Sequence, residues 1–219
     1  MEELDINRRE IARYLGYKSI DDLDETTDGI IEECIKEVLQ VMEPKSCYES
    51  FPLIWHEDKN SCEFAGLVII SKDLIKNLKD SKEAVMLAVT IGPGFDRLVR
   101  RAEVRDMSRA AILQSVGAEV VEAYCNKVND EITKQVRERG LYTRPRFSPG
   151  YGDLPLAMQR DFERVLNMRK NIGISLSEGN IMTPSKSITA VIGITATPCK
   201  IGGTNCDTCN MSNDCTYRK

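Results

Sequence analysis

The chain has 219 residues, enough for one domain with a sizeable buried core and a small appendage. Its 30 Lys+Arg residues stand against 34 Asp+Glu, a net charge of −4, so the basic excess of a phosphate-tracking surface is missing and nucleic acid is not an expected partner. The charged opening MEELDINRRE and the lack of any apolar run of spanning length predict a cytoplasmic protein with no membrane anchor.

Along the chain, Asn7 to Leu15 and Thr27 to Met42 read as amphipathic helices, the second gathering Ile30, Ile31, Cys34, Ile35 and Val38 mostly on one face. Phe64 to Ser71 and Ala84 to Gly92 are apolar and β-branched and read as strands, flanking a short helix from Asp73 to Leu78. The segment Ile91-Gly92-Pro93-Gly94-Phe95-Asp96 lacks the Gly-Lys-Ser/Thr ending of a phosphate loop. It reads as strand end, turn and helix start.

From Met107 to Arg139 the pattern is helical, with Leu113, Val116, Val120, Tyr124, Val128, Ile132 and Val136 marking a core face. On roughly the opposite side Ser115, Ala118, Glu122, Cys125 and Asn129 form a strip of mainly small residues that would admit another backbone or a ligand. Gly140 ends the helix, and the proline- and glycine-rich LYTRPRFSPGYGDLP must be a shaped loop. Asp153 is placed to cap a following helix whose apolar stripe is Met158, Phe162, Val165 and Leu166. A β-rich section, GISLSEGNIM and then SITAVIGITA, completes an α+β domain over 1–197, followed by a cysteine-rich tail over 198–219.

Three ordered segments carry a family resemblance. Arg146-Phe147-Ser148-Pro149-Gly150-Tyr151 is similar to the Arg-Pro-Ala-Pro-Gly-Tyr loop of the reactivation domain of cobalamin-dependent methionine synthase. Gly173-Ile174-Ser175-Leu176-Ser177-Glu178 with Met182, Pro184 and Ser187 resembles that family's Gly-x-x-Leu-Thr-Glu-Ser…Met-x-Pro…Ser pattern, and Val121-Glu122-Ala123-Tyr124 resembles its Ala-Glu-Ala-Phe. The resemblance spans roughly residues 84 to 195. It implies a single α+β domain with a mainly antiparallel, bent sheet flanked by helices, and a stand-alone subunit of that kind.

The resembled domain binds S-adenosylmethionine and presents its methyl group to cobalamin that has fallen into the inactive cob(II) state. A low-potential electron donor reduces the cobalt, which then takes the methyl group to give methylcobalamin. The resemblance thus implies S-adenosylmethionine as ligand, a methionine synthase or another corrinoid protein as partner, and no catalytic residue, since the cofactor carries the chemistry. Arg146 matches the family arginine that binds the ligand, and a guanidinium fork suits a methionine carboxylate. Tyr151 would stand at the ligand face towards the corrin, Ser148 would offer backbone contacts, and Glu122 would meet the ligand's ammonium or sulfonium. Nothing here matches the family's early Asp-Trp-Thr segment, whose aspartate holds the ligand amine.

Cys199, Cys206, Cys209 and Cys215 crowd the last 21 residues around a Cys-x-x-Cys pair, which suits tetrahedral thiolate binding of Zn²⁺ or an iron–sulfur cluster. Cys34, Cys47, Cys62 and Cys125 are scattered and read as packing residues, and the single histidine, His56, as structural. Three functions follow: reactivation in trans of methionine synthase, redox activation of another corrinoid methyltransferase through a tail cluster, or a zinc-stabilised interaction domain. Ligand binding separates the first from the third, and an iron–sulfur spectrum would favour the second.

Overall fold

A computed structural model describes residues 4–56 and 61–198. Helices α1 (Arg8–Tyr14) and α2 (Glu25–Val41) lead into strand β1 (Lys45–Pro52), then a small meander of β2 (Ile54–Trp55), β3 (Cys62–Phe64) and β4 (Leu67–Ile69). Helix α3 (Lys72–Asn77), strand β5 (Ser81–Thr90) and helices α4 (Pro93–Arg105) and α5 (Met107–Glu138) follow. Next come the short strand β6 (Tyr142–Thr143), helices α6 (Gln159–Val165) and α7 (Met168–Asn171), the hairpin β7 (Ser175–Leu176) and β8 (Met182–Thr183), and strand β9 (Ser187–Thr195).

The main sheet runs β1-β5-β9-β6 with every pair antiparallel, so the architecture is α+β as expected. Strand β5 is buried from Ala84 onward because helices cover one face and the meander with α3, α6 and α7 covers the other. Its period of two sends Val85, Leu87 and Val89 to the helical side and Ala84, Met86 and Ala88 to the opposite one. That explains the unbroken apolar run in the sequence.

On the helical side Ile11, Ile31, Val38, Phe95 and the core face of α5 meet the sheet; on the other, Phe64, Leu74, Phe162 and Met168 do. At 32 residues α5 is about 48 Å long and spans the whole helical layer. Gly117 permits its close packing on α4, since a Cβ there would lie 2.2 Å from the Phe95 ring. The extended residue Asp106 divides α4 from α5 and caps the latter by accepting from the Arg109 amide. Gly140, at φ 72, ends α5, and the Leu141 amide turns back to the Val136 carbonyl.

Three expectations change, and one strand had no signal. The strand read over Phe64 to Ser71 is instead a hairpin, because Ala65 and Gly66 both take positive φ in a two-residue turn. Strand β1 had no apolar run to announce it; this half-exposed edge strand is held by eight paired residues of β5. Asp153 does not cap the helix after it: the short 3-10 turn Leu156–Met158 starts at Pro155 without a side-chain cap. The small-residue strip on α5 is not a free surface, for Ser115 and Cys125 are buried.

Candidate functional site

The site begins at the edge of the main sheet. Tyr142 and Thr143 pair with Thr195 and Ile194, and Phe147 next exchanges two hydrogen bonds with Val191, at 2.9 and 2.8 Å. Between those pairings four residues advance on one strand and three on the other, an added residue that Pro145 accommodates because it has no N–H to give the ladder. The bulge turns Arg146 away from the sheet and towards α5.

There Arg146 Nη2 donates to Asn126 Oδ1 at 2.8 Å and to Glu122 Oε2 at 3.2 Å. Glu122 and Asn126 lie four residues apart, on one face of α5. The Arg146 side chain is only 22% exposed, and its Nη1 is buried with no hydrogen-bond partner. Leaving a buried donor unfilled costs about 1–3 kcal/mol, so an incoming acceptor at Nη1 is favoured. Beneath the pair, burial pushes the Cys125 thiol up to about 11 despite the opposing pull of Arg146. That thiol is inert packing rather than a nucleophile.

A cleft of about 920 Å³ opens beside Arg146, between α5 and the bulged edge. Such a volume is at the upper end of small-molecule sites, roughly 300–1,000 Å³. Polar side chains stand on both walls: Asn126, Asn129 and Arg137 from the helix face Arg144 and Arg146 from the strand. Thr133 and Thr143 join the walls through a 3.0 Å hydroxyl contact.

The loop beyond Arg146 is pinned at both ends. Phe147 fixes its start to β9, and Asp153 fixes its end to α3 by accepting from the Lys72 amide at 2.7 Å, the Asp73 amide and the Ser71 hydroxyl. The Ser71 bond chiefly, with those amides, holds the Asp153 carboxyl below the usual carboxylate range. Gly152 permits this approach, as a Cβ there would lie 2.2 Å from the Asp73 carboxylate. Asp153 is therefore a cap after all, but for a helix 80 residues earlier.

Of the residues singled out from sequence, the structure brings Arg146 and Glu122 into contact. Ser148 and Tyr151 share the loop, the Ser148 carbonyl accepting from the Tyr151 amide at 3.2 Å, while the Tyr151 side chain is 68% exposed at the tip. Cys199, Cys206, Cys209 and Cys215 lie outside the described residues. Among the described residues no group of three His, Cys, Asp or Glu side chains could hold a metal, and no helix is long and apolar enough to cross a membrane. Asn126 was missed, although its four-residue offset from Glu122 marks it as a neighbour on the helix.

No known family model and no curated protein sequence matches the chain. Among solved structures it is similar to the crystal structure of the MetH reactivation domain bound to AdoHcy, with a TM-score of 0.63 over 90% of this chain and 76% of that one. The two share 15% sequence identity, a likeness of fold.

Proposed function

We propose that the chain binds S-adenosylmethionine in the cleft at Arg146 and presents the methyl group to a corrinoid protein, acting in trans on a cobalamin-dependent methionine synthase. The observation that carries this reading is Arg146, which lines the cleft and keeps a buried Nη1 without a hydrogen-bond partner. A carboxylate is the acceptor that a guanidinium fork fits best. The similar fold is known with AdoHcy, which is S-adenosylmethionine without its methyl group.

In this reading Arg146 takes the ligand carboxylate, and Glu122 turns from Arg146 towards the ammonium or sulfonium. Ser148 lends backbone polar groups in a loop held at both ends. The exposed Tyr151 faces the partner and orients the methyl group towards it. Reduced by one electron from a low-potential donor, the corrinoid supplies the nucleophile, leaving methylcobalamin and S-adenosylhomocysteine. No proton transfer is required of the chain.

The tail cysteines Cys199, Cys206, Cys209 and Cys215 we read as ligands of Zn²⁺ or an iron–sulfur cluster. A cluster would make the chain its own electron relay to a corrinoid methyltransferase, whereas zinc would only cross-link the tail.

The test adds the protein, S-adenosylmethionine and a low-potential reductant to a cob(II) methionine synthase. Absorbance should move to that of methylcobalamin, and Tyr151→Ala should slow this step more than it weakens ligand binding. An equal rate without the protein rejects the reading.

A further inference from the structure

The outer face of α4 concentrates positive charge in a chain whose net charge is −4. At helical spacing Arg97, Arg100, Arg101 and Val104 share that face with Arg105 at its edge, while Phe95, Leu98 and Val99 point into the core. Arg97 lies 3.8 Å from Glu43, and Arg109, just beyond the break, is held by Glu33 and Glu37. Arg100, Arg101 and Arg105 have neither an ion pair nor a side-chain hydrogen bond among the described residues.

Apolar surface sits within this charge. Val104 is 87% exposed at the centre of the face, and Met107 is 68% exposed across the break. Two depressions flank the α4 ridge. One, of about 400 Å³, has Val41 and Gly94 between Arg97 and Arg101; the other, of about 310 Å³, has Leu98 and Ala102 beside Arg101 and Arg105 and is also lined by Glu37, Asp106 and Arg109. Arg101 borders both.

We propose that this face of α4 docks an acidic protein surface, whose carboxylates pair with Arg100, Arg101 and Arg105 around an apolar contact on Val104 and Met107. Charge complementarity selects the partner's sign, and the exposed valine and methionine select its class. Arginine and methionine are enriched at protein interfaces, whereas a phosphate backbone needs the charge alone. The patch shares no lining residue with the cleft at Arg146. The two lie about 25 Å apart along α5, judged from Arg109 to Asn126, so the proposal stands whether or not that cleft binds its ligand.

The full chain is titrated at low salt with three probes of equal charge: a peptide of glutamates interspersed with leucines, a poly-glutamate peptide and a single-stranded oligodeoxynucleotide. The glutamate–leucine peptide should bind tightest, and R100E/R101E/R105E should weaken it by at least about tenfold while the thermal midpoint stays in place. If the triple variant fails to fold, R101E alone should weaken the peptide in the same direction. Val104→Ser, which removes the apolar contact without adding charge, should reduce binding of that peptide but not of the oligonucleotide. The proposal is overturned by preference for the oligonucleotide, by peptide affinity indifferent to the arginine substitutions, or by absence of peptide binding. Self-association of the wild type that the triple variant abolishes in sedimentation also overturns it, the occupant then being a second copy.

Discussion

Arg146 Nη2 reaches Glu122 Oε2 across 3.2 Å, joining the bulged sheet edge to the middle of α5. The two side chains are 22% and 43% exposed, so the pair contributes no more than about 1 kcal/mol after solvent screening. Glu122→Gln should therefore leave urea stability almost unchanged while lowering affinity for S-adenosylmethionine. A loss of several kcal/mol in stability would make the pair a structural tie instead.

Asp153 couples the loop to the α3 N-terminus, and its pH dependence has a definite sign. Its folded carboxyl is held below the ordinary range, so the stability it contributes is present above the unfolded value and is lost as pH falls through the folded one. The melting-temperature gap between wild type and Asp153→Ala should be full at neutral pH and close in acid. A gap that persists unchanged below the carboxylate range would show that the contacts act through shape and not charge.

Gly117→Ala sets helix propensity against packing. Alanine gains up to about 1 kcal/mol in a helix, but the added methyl meets the wholly buried Phe95 ring, and overpacking costs about 1–3 kcal/mol. Net destabilisation is expected in chemical denaturation. Unchanged or increased stability would mean that Phe95 relaxes freely.

What the sequence disclosed, and what it did not, divides by range. Val120, Val128 and Val136 announced the core face of α5, and the resemblance around Arg146 and Glu122 picked out two residues that do touch. Asp153 looked like a local cap, since capping patterns are read from neighbours, whereas its amide partners lie some 80 residues away. Strand β1 escaped notice because its stability comes from pairing with β5 and not from its own half-exposed residues. The bulge at Pro145 depends on a register with β9 that only the folded sheet defines.

The tail should be separable from the domain. Cys206→Ser and Cys209→Ser should each abolish bound metal in anaerobically prepared protein without shifting the main unfolding transition, because these cysteines follow the domain expected over 1–197. Metal-free wild type would reject the assignment. Global unfolding of either variant would show that the tail belongs to the core.

Calorimetric titration of the whole protein with S-adenosylmethionine, wild type beside Arg146→Ala, tests the central claim most directly. Saturable binding by the wild type is expected, weakened in Arg146→Ala by about 1.5–3 kcal/mol, the range for a hydrogen bond to a charged group. A folded wild type that binds no S-adenosylmethionine, or an Arg146→Ala variant that binds it equally well, would contradict the account.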